Sequence, residues 1–162
     1  DALTVDRMKT RCYAIRQQEK ALDLVVIDYL GLIQGRGKTR DRVTEVSEIS
    51  RSVKLMAREL NVPVLILSQL SRNPEQRSDH RPMLSDLRES GAIEQDADEV
   101  LFLYRPAVYD TSKDEKEATV IIAKNRNGRT GECSLLWDGE HFRFYEHEID
   151  FDAIGEDEQI CM

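Results

Sequence analysis

The feature that most constrains the fold is a pair of short apolar runs separated by an amphipathic stretch. Residues 23–28 read Asp-Leu-Val-Val-Ile-Asp, and residues 63–69 read Pro-Val-Leu-Ile-Leu-Ser-Gln. Continuous apolar runs of this length are typical of strands that are buried on both faces of a parallel sheet. Between them, residues 43–60 repeat apolar side chains at three- and four-residue steps, which predicts a helix. This order predicts a βαβ unit with parallel strands and a right-handed crossover.

The remaining sequence predicts further elements on both sides of this unit. They are helices over 3–19 and 91–97 and strands over 100–104, 118–124, 131–137 and 141–145. The Asn127-Gly128 pair favours a tight turn, so a β-hairpin with basic residues near its tip is expected. We therefore predict an α/β fold, with a mostly parallel sheet flanked by helices and a C-terminal β-hairpin.

Charge is distributed unevenly along the chain. The net charge is −8, but residues 146–158 hold seven acidic side chains and no Lys or Arg, which leaves 24 acidic against 23 basic residues elsewhere. Because modules that bind nucleic acids are often basic, any DNA contact is expected from local basic clusters. These clusters are Arg36, Lys38, Arg40 and Arg42; Arg72, Arg77, Arg81 and Arg88; and Lys124, Arg126 and Arg129. Solvated loop charge is the alternative interpretation of such clusters.

The composition excludes several classes of protein. With 40% apolar and 33% charged residues the chain is of ordinary globular composition. No apolar run approaches the roughly 20 residues needed to span a bilayer. Cys12, Cys133 and Cys161 lack metal-ligand spacing, so free thiols in a reducing cytoplasm are expected. The histidines are scattered, which indicates neither a metal site nor a nucleophile–base pair.

Polar side chains follow both apolar runs of the βαβ unit. Asp28 ends the first run, and Ser68 and Gln69 end the second. The carboxyl ends of parallel strands lie at one edge of a sheet, where α/β proteins bind ligands. A carboxylate there can hold a hydrated Mg²⁺, and a glutamine can hydrogen-bond a phosphate or an attacking water. The alternative is that these residues cap helices or shape turns.

The segment 84–98 predicts a phosphate-binding site. Gly91 lies at the start of a predicted helix, where free backbone N–H groups can hold a phosphate, and Arg88 adds a charged contact. A capped helix start, with Ser90 as the N-cap, explains the same residues without a ligand.

Two bases near the predicted hairpin tip form a third candidate site. Lys124 and Arg126 are two residues apart along a strand end, so their side chains are expected on one side. Two cations there can reach a phosphate on a neighbouring molecule, as an arginine finger does. A surface strand with exposed bases is the alternative.

Four stretches of the sequence together form a recognisable pattern. They are LVVIDYLGLI at 24–33, VPVLILSQLSR at 62–72, RPMLSDLRESGAIEQDAD at 81–98 and KNRNG at 124–128. In this order they strongly resemble the DnaB family of hexameric replicative helicases, and they cover most of residues 20–130. The resemblance implies a RecA-like P-loop NTPase core, and with it the functional interpretation of each candidate site outweighs the alternative.

The resemblance also implies a role in ATP chemistry for four residues. Asp28 matches the Walker B aspartate that organises Mg²⁺, and Gln69 matches the sensor glutamine that links the γ-phosphate of ATP to the DNA loops. Lys124 and Arg126 match the basic pair that reaches the ATP of the adjacent subunit. All four are therefore expected to bind the ATP cofactor and to take part in catalysis.

For DNA, the resemblance implies a loop formed by Arg88, Glu89 and Gly91 that grips the phosphate backbone of single-stranded DNA, partly through main-chain N–H groups. The complete protein is expected to be a cytoplasmic homohexamer. It would couple ATP hydrolysis to translocation on single-stranded DNA and to duplex unwinding. Contacts with a primase and a helicase loader would use other regions.

The chain also departs from the family pattern. Residues 1–145 are expected to be the later part of the motor domain, and 146–162 an acidic, disordered tail. The first residues, without a starting Met, are expected to be a cut inside a longer protein. No G-x-x-x-x-G-K-[ST] loop occurs, since the Gly-Lys-Thr at 37–39 follows the Walker B strand and lacks the upstream glycine.

The expected consequence concerns activity. In this family the phosphate loop, the catalytic glutamate and the primase-interacting domain are all expected upstream of the Walker B strand. The 162 residues alone are therefore predicted to have negligible ATPase activity, because the phosphate loop supplies the main contacts to the β- and γ-phosphates.

Two other interpretations stay open. The chain could be a non-catalytic module, derived from the same fold, that binds DNA or caps a helicase ring. A RecA-like recombinase or a circadian-clock ATPase is a further possibility, but residues 88–98 fit those families poorly.

Overall fold

A computed structural model describes residues 3–35 and 41–146, without the side chains of residues 88–90. The helices are α1 (Val5–Glu19), α2 (Arg42–Leu60) and α3 (Gly91–Asp96). The strands are β1 (Val25–Ile27), β2 (Val64–Ile66), β3 (Glu99–Tyr104), β4 (Glu117–Asn125), β5 (Gly131–Asp138) and β6 (Arg143–Glu146). The chain forms two compact units: one contains the residues up to Asn73 together with Leu84–Ala97, and the other contains Pro74–Met83 and the residues from Asp98 onward.

The predicted βαβ unit is present in the first compact unit. β1 and β2 pair in parallel, with Val25 opposite Val64 and Ile27 opposite Ile66. Both strands are shorter than the apolar runs, since regular pairing stops before the polar residues that end each run. The backbone nevertheless stays paired beyond them, because Leu67 N–H donates to Ile27 C=O at 2.9 Å and Leu30 N–H donates to Leu67 C=O at 2.9 Å.

Helix α2 is capped at both ends by suitable residues. The Asp41 carboxylate caps it by accepting hydrogen bonds from the backbone N–H groups of Val43 and Thr44. Its C-cap, Asn61, has a left-handed backbone with φ of 49°, a conformation that asparagine tolerates better than most residues. One face of the helix is buried through Val46, Ile49, Ser50, Val53, Met56 and Leu60. This stripe forms the centre of the core, which confirms the predicted amphipathic helix.

Helix α1 packs against α2 through a few specific contacts. Cys12 is buried in the common core, and the Arg16 guanidinium donates to the Leu60 carbonyl at the end of α2. Lys9 and Glu59 form an ion pair between the two helices. The hydrogen bond to Glu59 is the main reason why the pKa of Lys9 is raised. A cleft of about 920 Å³ opens between α1 and β1.

The expectation that both strands are buried on both faces is wrong for this chain. Ile27 is buried, but Val26 and Leu65 on the opposite face are 55% and 48% exposed. The flanking Leu24 and Leu67 are also about half exposed, at 52% and 45%. α2 covers one face of the strand pair, and no other element among the described residues buries the second face to the same degree. A continuous apolar run in the sequence therefore does not show whether one face or both faces of a strand are buried.

The second compact unit is built on an antiparallel sheet with the strand order β3-β4-β5-β6. β4 and β5 form the predicted hairpin, and β3 pairs with the other edge of β4. Along β3, Val100 and Phe102 are buried, whereas Leu101 and Leu103 are more than half exposed. The α/β class with a C-terminal hairpin is confirmed. In the part of the chain that the structure describes, however, parallel pairing is limited to β1 and β2, and the antiparallel sheet is the larger one.

The segment Pro74–Met83 belongs to the second unit and is fastened to its sheet. The Tyr104 hydroxyl donates to the Asp79 carbonyl at 2.8 Å. The Arg81 guanidinium lies 5.6 Å from the centre of the Tyr104 ring and pairs with Glu132. The His80 ring stacks on Tyr109 with ring centres 4.8 Å apart. Arg81 of the second basic cluster therefore helps to hold this segment in place.

Several expectations concern residues outside those the structure describes. The acidic tail lies almost entirely in residues 147–162, and three bases of the first cluster lie in residues 36–40. The proposed division at residue 145 therefore stays a prediction. Within residues 3–35 and 41–146, no helix is both long enough and apolar enough to cross a lipid bilayer.

Candidate nucleotide and DNA sites

Asp28 and Gln69 lie at the same edge of the β1–β2 pair. Asp28 directly follows β1, and Gln69 comes three residues after β2. Because the strands are parallel and in register, their carboxyl ends are adjacent. Both side chains are exposed. Ser68, which directly precedes Gln69, is half-buried. This edge therefore presents an acidic and an amide side chain to solvent, as the sequence predicts.

A short backbone connection links this edge to the segment that carries Arg88. Ser71, two residues after Gln69, donates its backbone N–H to the Asp86 carbonyl at 3.0 Å. The Asp86 side chain is buried, with 1% exposure. Asp86 lies two residues before Arg88 in the 3-10 segment Leu84–Ser90. The residues after the β2 end and the residues before Gly91 are thus held together by the main chain.

The segment from Leu84 to Asp96 is seated on α2. Leu87 is buried at 6% exposure, and Ile93 packs against the core that α2 organises. The Ser50 hydroxyl of α2 donates to the Asp96 carboxylate at 2.8 Å. These contacts anchor the C-terminal part of the segment, at Ile93 and Asp96, on α2.

Arg88, Glu89 and Gly91 lie in this seated segment. The side chains of Arg88 and Glu89, and that of Ser90, lie outside the described part of the structure. Gly91 is the first residue of α3, a helix of six residues. A Cβ atom at Gly91 would meet no atom within 4 Å. Packing inside the chain therefore does not require a glycine at this position, whereas close approach of another molecule to the backbone would.

The tip of the β4–β5 hairpin carries Lys124 and Arg126. Lys124 is half-buried near the end of β4, and Arg126 is exposed just beyond it. Pairing of β4 with β5 ends at Ile122 opposite Gly131, while Lys124 pairs with β3 opposite Val100. A register shift lies next to this pair, between Val100 and Leu101 of β3. Bulges of this kind re-aim side chains.

The predicted tight turn at Asn127-Gly128 is wrong, because the connection is longer. Gly128 does not adopt a positive φ, so the turn that an Asn-Gly pair favours does not form. The Asn125 side chain shapes the loop instead: it accepts from the Asn127 N–H at 3.2 Å and donates to the Arg129 carbonyl at 3.4 Å. A Cβ atom on Gly128 would lie 2.6 Å from Asn125 Nδ2. Gly128 is therefore needed for close approach to Asn125.

Arg126 is held at two points by Asp98. Its backbone N–H donates to the Asp98 carbonyl at 2.8 Å, and its Nη1 lies 3.3 Å from Asp98 Oδ1. Both side chains are about half exposed, at 49% and 50%. The guanidinium is therefore directed by a carboxylate while it stays accessible to solvent.

Sequence reasoning missed the residues that position these candidates. Asp98 and the Ser71–Asp86 pair act through hydrogen bonds or an ion pair between segments that are distant in sequence, whereas Asn125 acts within its own loop. Only Asn125 carried a local signal, because an asparagine next to a turn commonly bonds the backbone two residues on.

The candidate metal ligand, Asp28, does not belong to a cluster of three or more ligands among the described side chains. In residues 3–35 and 41–146 no group of three or more His, Cys, Asp or Glu residues is arranged to hold a metal ion. One exposed carboxylate suits Mg²⁺, because this ion usually keeps several waters and binds through one or two carboxylates and the phosphates of a substrate. Asp28 fits that description.

Comparison with known proteins decides the family. The model of the DnaB-like helicase C terminal domain matches residues 1–146, which is most of the chain. The chain belongs to this family. Replicative DNA helicase DnaC of Bacillus subtilis (strain 168) is 52% identical over 155 residues, and replicative DNA helicase DnaB of Geobacillus stearothermophilus is 51% identical over 153 residues. These alignments include 94% and 93% of this chain.

Solved structures of related proteins share the fold. A DnaB-like replicative helicase, described with its interactions with primase, matches with a TM-score of 0.86 and 44% identity over 90% of this chain and 36% of that one. A separately solved ATPase domain matches with the same TM-score of 0.86 and the same 44% identity, over 90% of this chain and 52% of that domain. The RecA-like helicase fold that the sequence predicts is confirmed by these matches.

The match covers only part of each relative. The chain spans about a third of the length of the curated DnaB-like relatives, 34% in both cases given above. The match therefore assigns these residues to the family, and the activity of a complete helicase is not assigned to them by the match.

Proposed function

We propose that these residues form the part of a replicative DNA helicase motor that reads the nucleotide, grips single-stranded DNA and reaches the neighbouring subunit. The complete helicase would couple ATP hydrolysis to translocation on single-stranded DNA and to duplex unwinding. The observation that carries the proposal is the backbone link from Ser71 to Asp86. It joins the end of β2, with its candidate sensor Gln69, to the segment with Arg88 and Gly91.

The nucleotide assignment is supported by the shared strand edge. Asp28 would hold Mg²⁺, directly or through water, and Gln69 would hydrogen-bond the γ-phosphate or the attacking water. A Mg²⁺ held by Asp28 would supply positive charge that offsets the negative charge developing during phosphoryl transfer. Exposure of both side chains at the carboxyl ends of two parallel strands is the arrangement that this role needs.

The DNA assignment is supported by the seat of the Leu84–Asp96 segment. Arg88 would contact a DNA phosphate through its charge, and Gly91 would allow the backbone to approach the strand. Glu89 would help to shape the loop. Because Ser71 is bonded to Asp86, a displacement at the Gln69 end would be passed to this segment, whose far end is anchored on α2 at Ile93 and Asp96.

The assignment in trans is supported by the position of the hairpin tip. Lys124 and Arg126 lie at the end of a strand pair, where cations can reach a separate molecule. We propose a homohexamer in which they contact the ATP of the adjacent subunit and stabilise charge on its γ-phosphate. Contacts with a primase and a helicase loader would use other parts of the complete protein.

The test is substitution of Arg126 in a full-length helicase that contains these residues. Arg126→Ala should lower DNA-stimulated ATP turnover about a thousandfold or more, the range in which arginine fingers act, and leave ATP affinity nearly unchanged. Arg143→Ala, an exposed base on β6 outside the three basic clusters, is the control and should retain turnover. Normal turnover in Arg126→Ala would reject the assignment in trans.

A further inference from the structure

The contact between Asp98 and Arg126 suggests a role for an acidic residue that carries no assignment so far. Asp98 is the residue directly before β3, and it comes two residues after the end of α3. It touches Arg126 both through its carbonyl, 2.8 Å from the Arg126 backbone nitrogen, and through its carboxylate, 3.3 Å from Nη1. The backbone bond sets the position of the loop, and the ion pair sets the direction of the guanidinium.

We propose that Asp98 is a positioning residue, which holds the Arg126 guanidinium in the orientation needed to reach the nucleotide of a neighbouring subunit. The inference rests on the proposed function of Arg126. An exposed arginine side chain samples many rotamers, and fixing it costs conformational entropy. A partner that fixes it before the neighbour's nucleotide arrives removes part of that cost from the catalytic step.

The geometry of the contact fits this role. The Asp98 carboxylate meets the planar guanidinium at Nη1, which sets a direction for the group, while both side chains stay about half exposed. Exposure of 49% for the Arg126 side chain leaves a second anion access to the group. A buried bidentate pair would instead sequester the arginine.

Stability gives little reason for this ion pair. Ion pairs between half-exposed groups contribute little to folding, because water screens the charges and ordering two side chains has an entropic cost. Removal of the Asp98 carboxylate should therefore change the direction of Arg126 more than the stability of the sheet. The backbone hydrogen bond between the two residues does not depend on the side chain and stays in every variant.

The test measures steady-state ATP turnover in a full-length hexameric helicase that contains these residues. Asp98→Ala should lower kcat about tenfold and change the KM for ATP less than about twofold. Asp98→Asn keeps the size and a hydrogen-bond acceptor but loses the charge, so its kcat should fall by less. Asp98→Glu should recover most of the turnover. Glu99→Gln, the exposed neighbour on β3, is the matched control and should behave as wild type.

A second background separates positioning of Arg126 from a general effect on the sheet. In a helicase that carries Arg126→Lys, the Asp98→Ala change should lower kcat by a smaller factor, because the group it orients is no longer a guanidinium. An equal factor in both backgrounds would overturn the inference. An increase of DNA-free turnover in Asp98→Ala would also overturn it, since the carboxylate would then restrain the arginine.

The failure of this inference and the failure of the proposed function give different results. If Arg126→Ala retains full turnover, the assignment of Arg126 in trans fails, and with it the basis of the inference. If Arg126→Ala is inactive and Asp98→Ala turns over normally, only the role of Asp98 is rejected. Thermal unfolding of each variant shows whether a loss of kcat reflects unfolding, and Asp98→Asn provides the same test with a smaller perturbation.

Discussion

Asn125 shows how one short side chain shapes the site at the hairpin tip. It accepts a hydrogen bond from the Asn127 N–H and donates one to the Arg129 carbonyl, so it spans the loop that displays Arg126. Gly128 lies against it. The loop that carries Arg126, the candidate arginine finger, is thus shaped by Asn125 and Gly128, two residues that have no proposed role in catalysis.

Substitution of Gly128 tests this dependence. A Cβ atom in Gly128→Ala would lie 2.6 Å from Asn125 Nδ2 and 3.2 Å from its Cγ, so the Asn125 side chain must move, which disturbs the hydrogen bonds it makes across the loop. We expect kcat for ATP in a full-length helicase to fall about tenfold, because small displacements of a catalytic group are costly. The unfolding temperature should change little.

The matched control for Gly128→Ala is Gly139→Ala in the turn between β5 and β6, where the added Cβ would lie 3.3 Å from the Trp137 ring nitrogen. Turnover close to wild type is expected from the control. If the two variants hydrolyse ATP equally fast, the contact between Gly128 and Asn125 is not needed to place Arg126.

At the scale of elements, α2 is the scaffold for everything in the first unit. It covers one face of β1 and β2 and also contacts the Leu84–Ser90 segment and α3, where Ile93 packs against the core. The stability of this helix should therefore govern both the strand edge with Asp28 and Gln69 and the segment proposed to contact DNA.

The core face of α2 can be tested by truncating one side chain. Leu60 is fully buried, with 0% exposure, so Leu60→Ala should lower the free energy of unfolding by about 2–5 kcal/mol through lost contacts and a cavity. Leu55, on the same helix, is 50% exposed, and Leu55→Ala should change stability by less than about 1 kcal/mol. Urea unfolding measures both. Equal losses of stability in the two variants would contradict the burial of Leu60 and the exposure of Leu55.

The N-terminus of α2 predicts a pH dependence. Hydrogen bonds from the Thr44 hydroxyl, and from the backbone N–H groups of Val43 and Thr44, hold the pKa of Asp41 below its usual range. A lowered pKa in the folded state means that the capping contribution is present above the ordinary carboxyl pKa of about 3.9 and is lost as the pH falls through the folded-state value.

The measurement compares Asp41→Ala with the wild type by thermal unfolding. At pH 7 the variant should unfold about 2–4 °C lower, and this difference should shrink as the pH falls below about 3.9. Asp41→Asn, which caps without a charge, is the control and should follow the wild type at pH 7. A difference between Asp41→Ala and wild type that is the same at both pH values would contradict the role of the carboxylate.

Elements with a strong repeating pattern could be predicted from the sequence, and contacts between distant segments could not. The apolar stripe of residues 43–60 predicts α2 to within one residue of its start. The hairpin was also predicted correctly, but the predicted tight turn was wrong, because the last residues of β4 pair with β3 rather than with β5. No local pattern encodes which neighbour a strand end pairs with.

The same limit applies to the candidate sites. Asp28, Gln69, Lys124 and Arg126 could be proposed because each follows a recognisable run or motif. Asp98 and Asp86 could not, since their importance comes from a hydrogen bond or ion pair with a residue far away in sequence. The exposed face of the β1–β2 pair was missed for a related reason: an apolar run does not report how many layers cover it.

At the scale of the whole molecule, the candidate residues fall into groups that serve different partners. Asp28 and Gln69 would serve the nucleotide site of their own subunit, the Leu84–Asp96 segment would serve DNA, and Lys124 with Arg126 would serve the nucleotide site of a neighbour. The division predicts that no single subunit is active alone, because part of its catalytic machinery acts on another subunit.

The central claim, catalysis shared between subunits, is tested most directly by mixing two inactive variants of a full-length helicase. Asp28→Asn removes the carboxylate proposed to hold Mg²⁺ in a subunit's own site, and Arg126→Ala removes the cation proposed to act on a neighbour. Co-assembled rings, purified through a different tag on each variant, contain interfaces where an intact Asp28 meets an intact Arg126. At equal mixing such interfaces are about a quarter of the total.

The measurement is the rate of ATP hydrolysis by these mixed rings. Each variant alone should be inactive, and mixed rings should recover up to about a quarter of wild-type turnover. Rings that contain both variants and hydrolyse no more ATP than either variant alone would contradict the claim that Arg126 acts on the nucleotide of a neighbouring subunit.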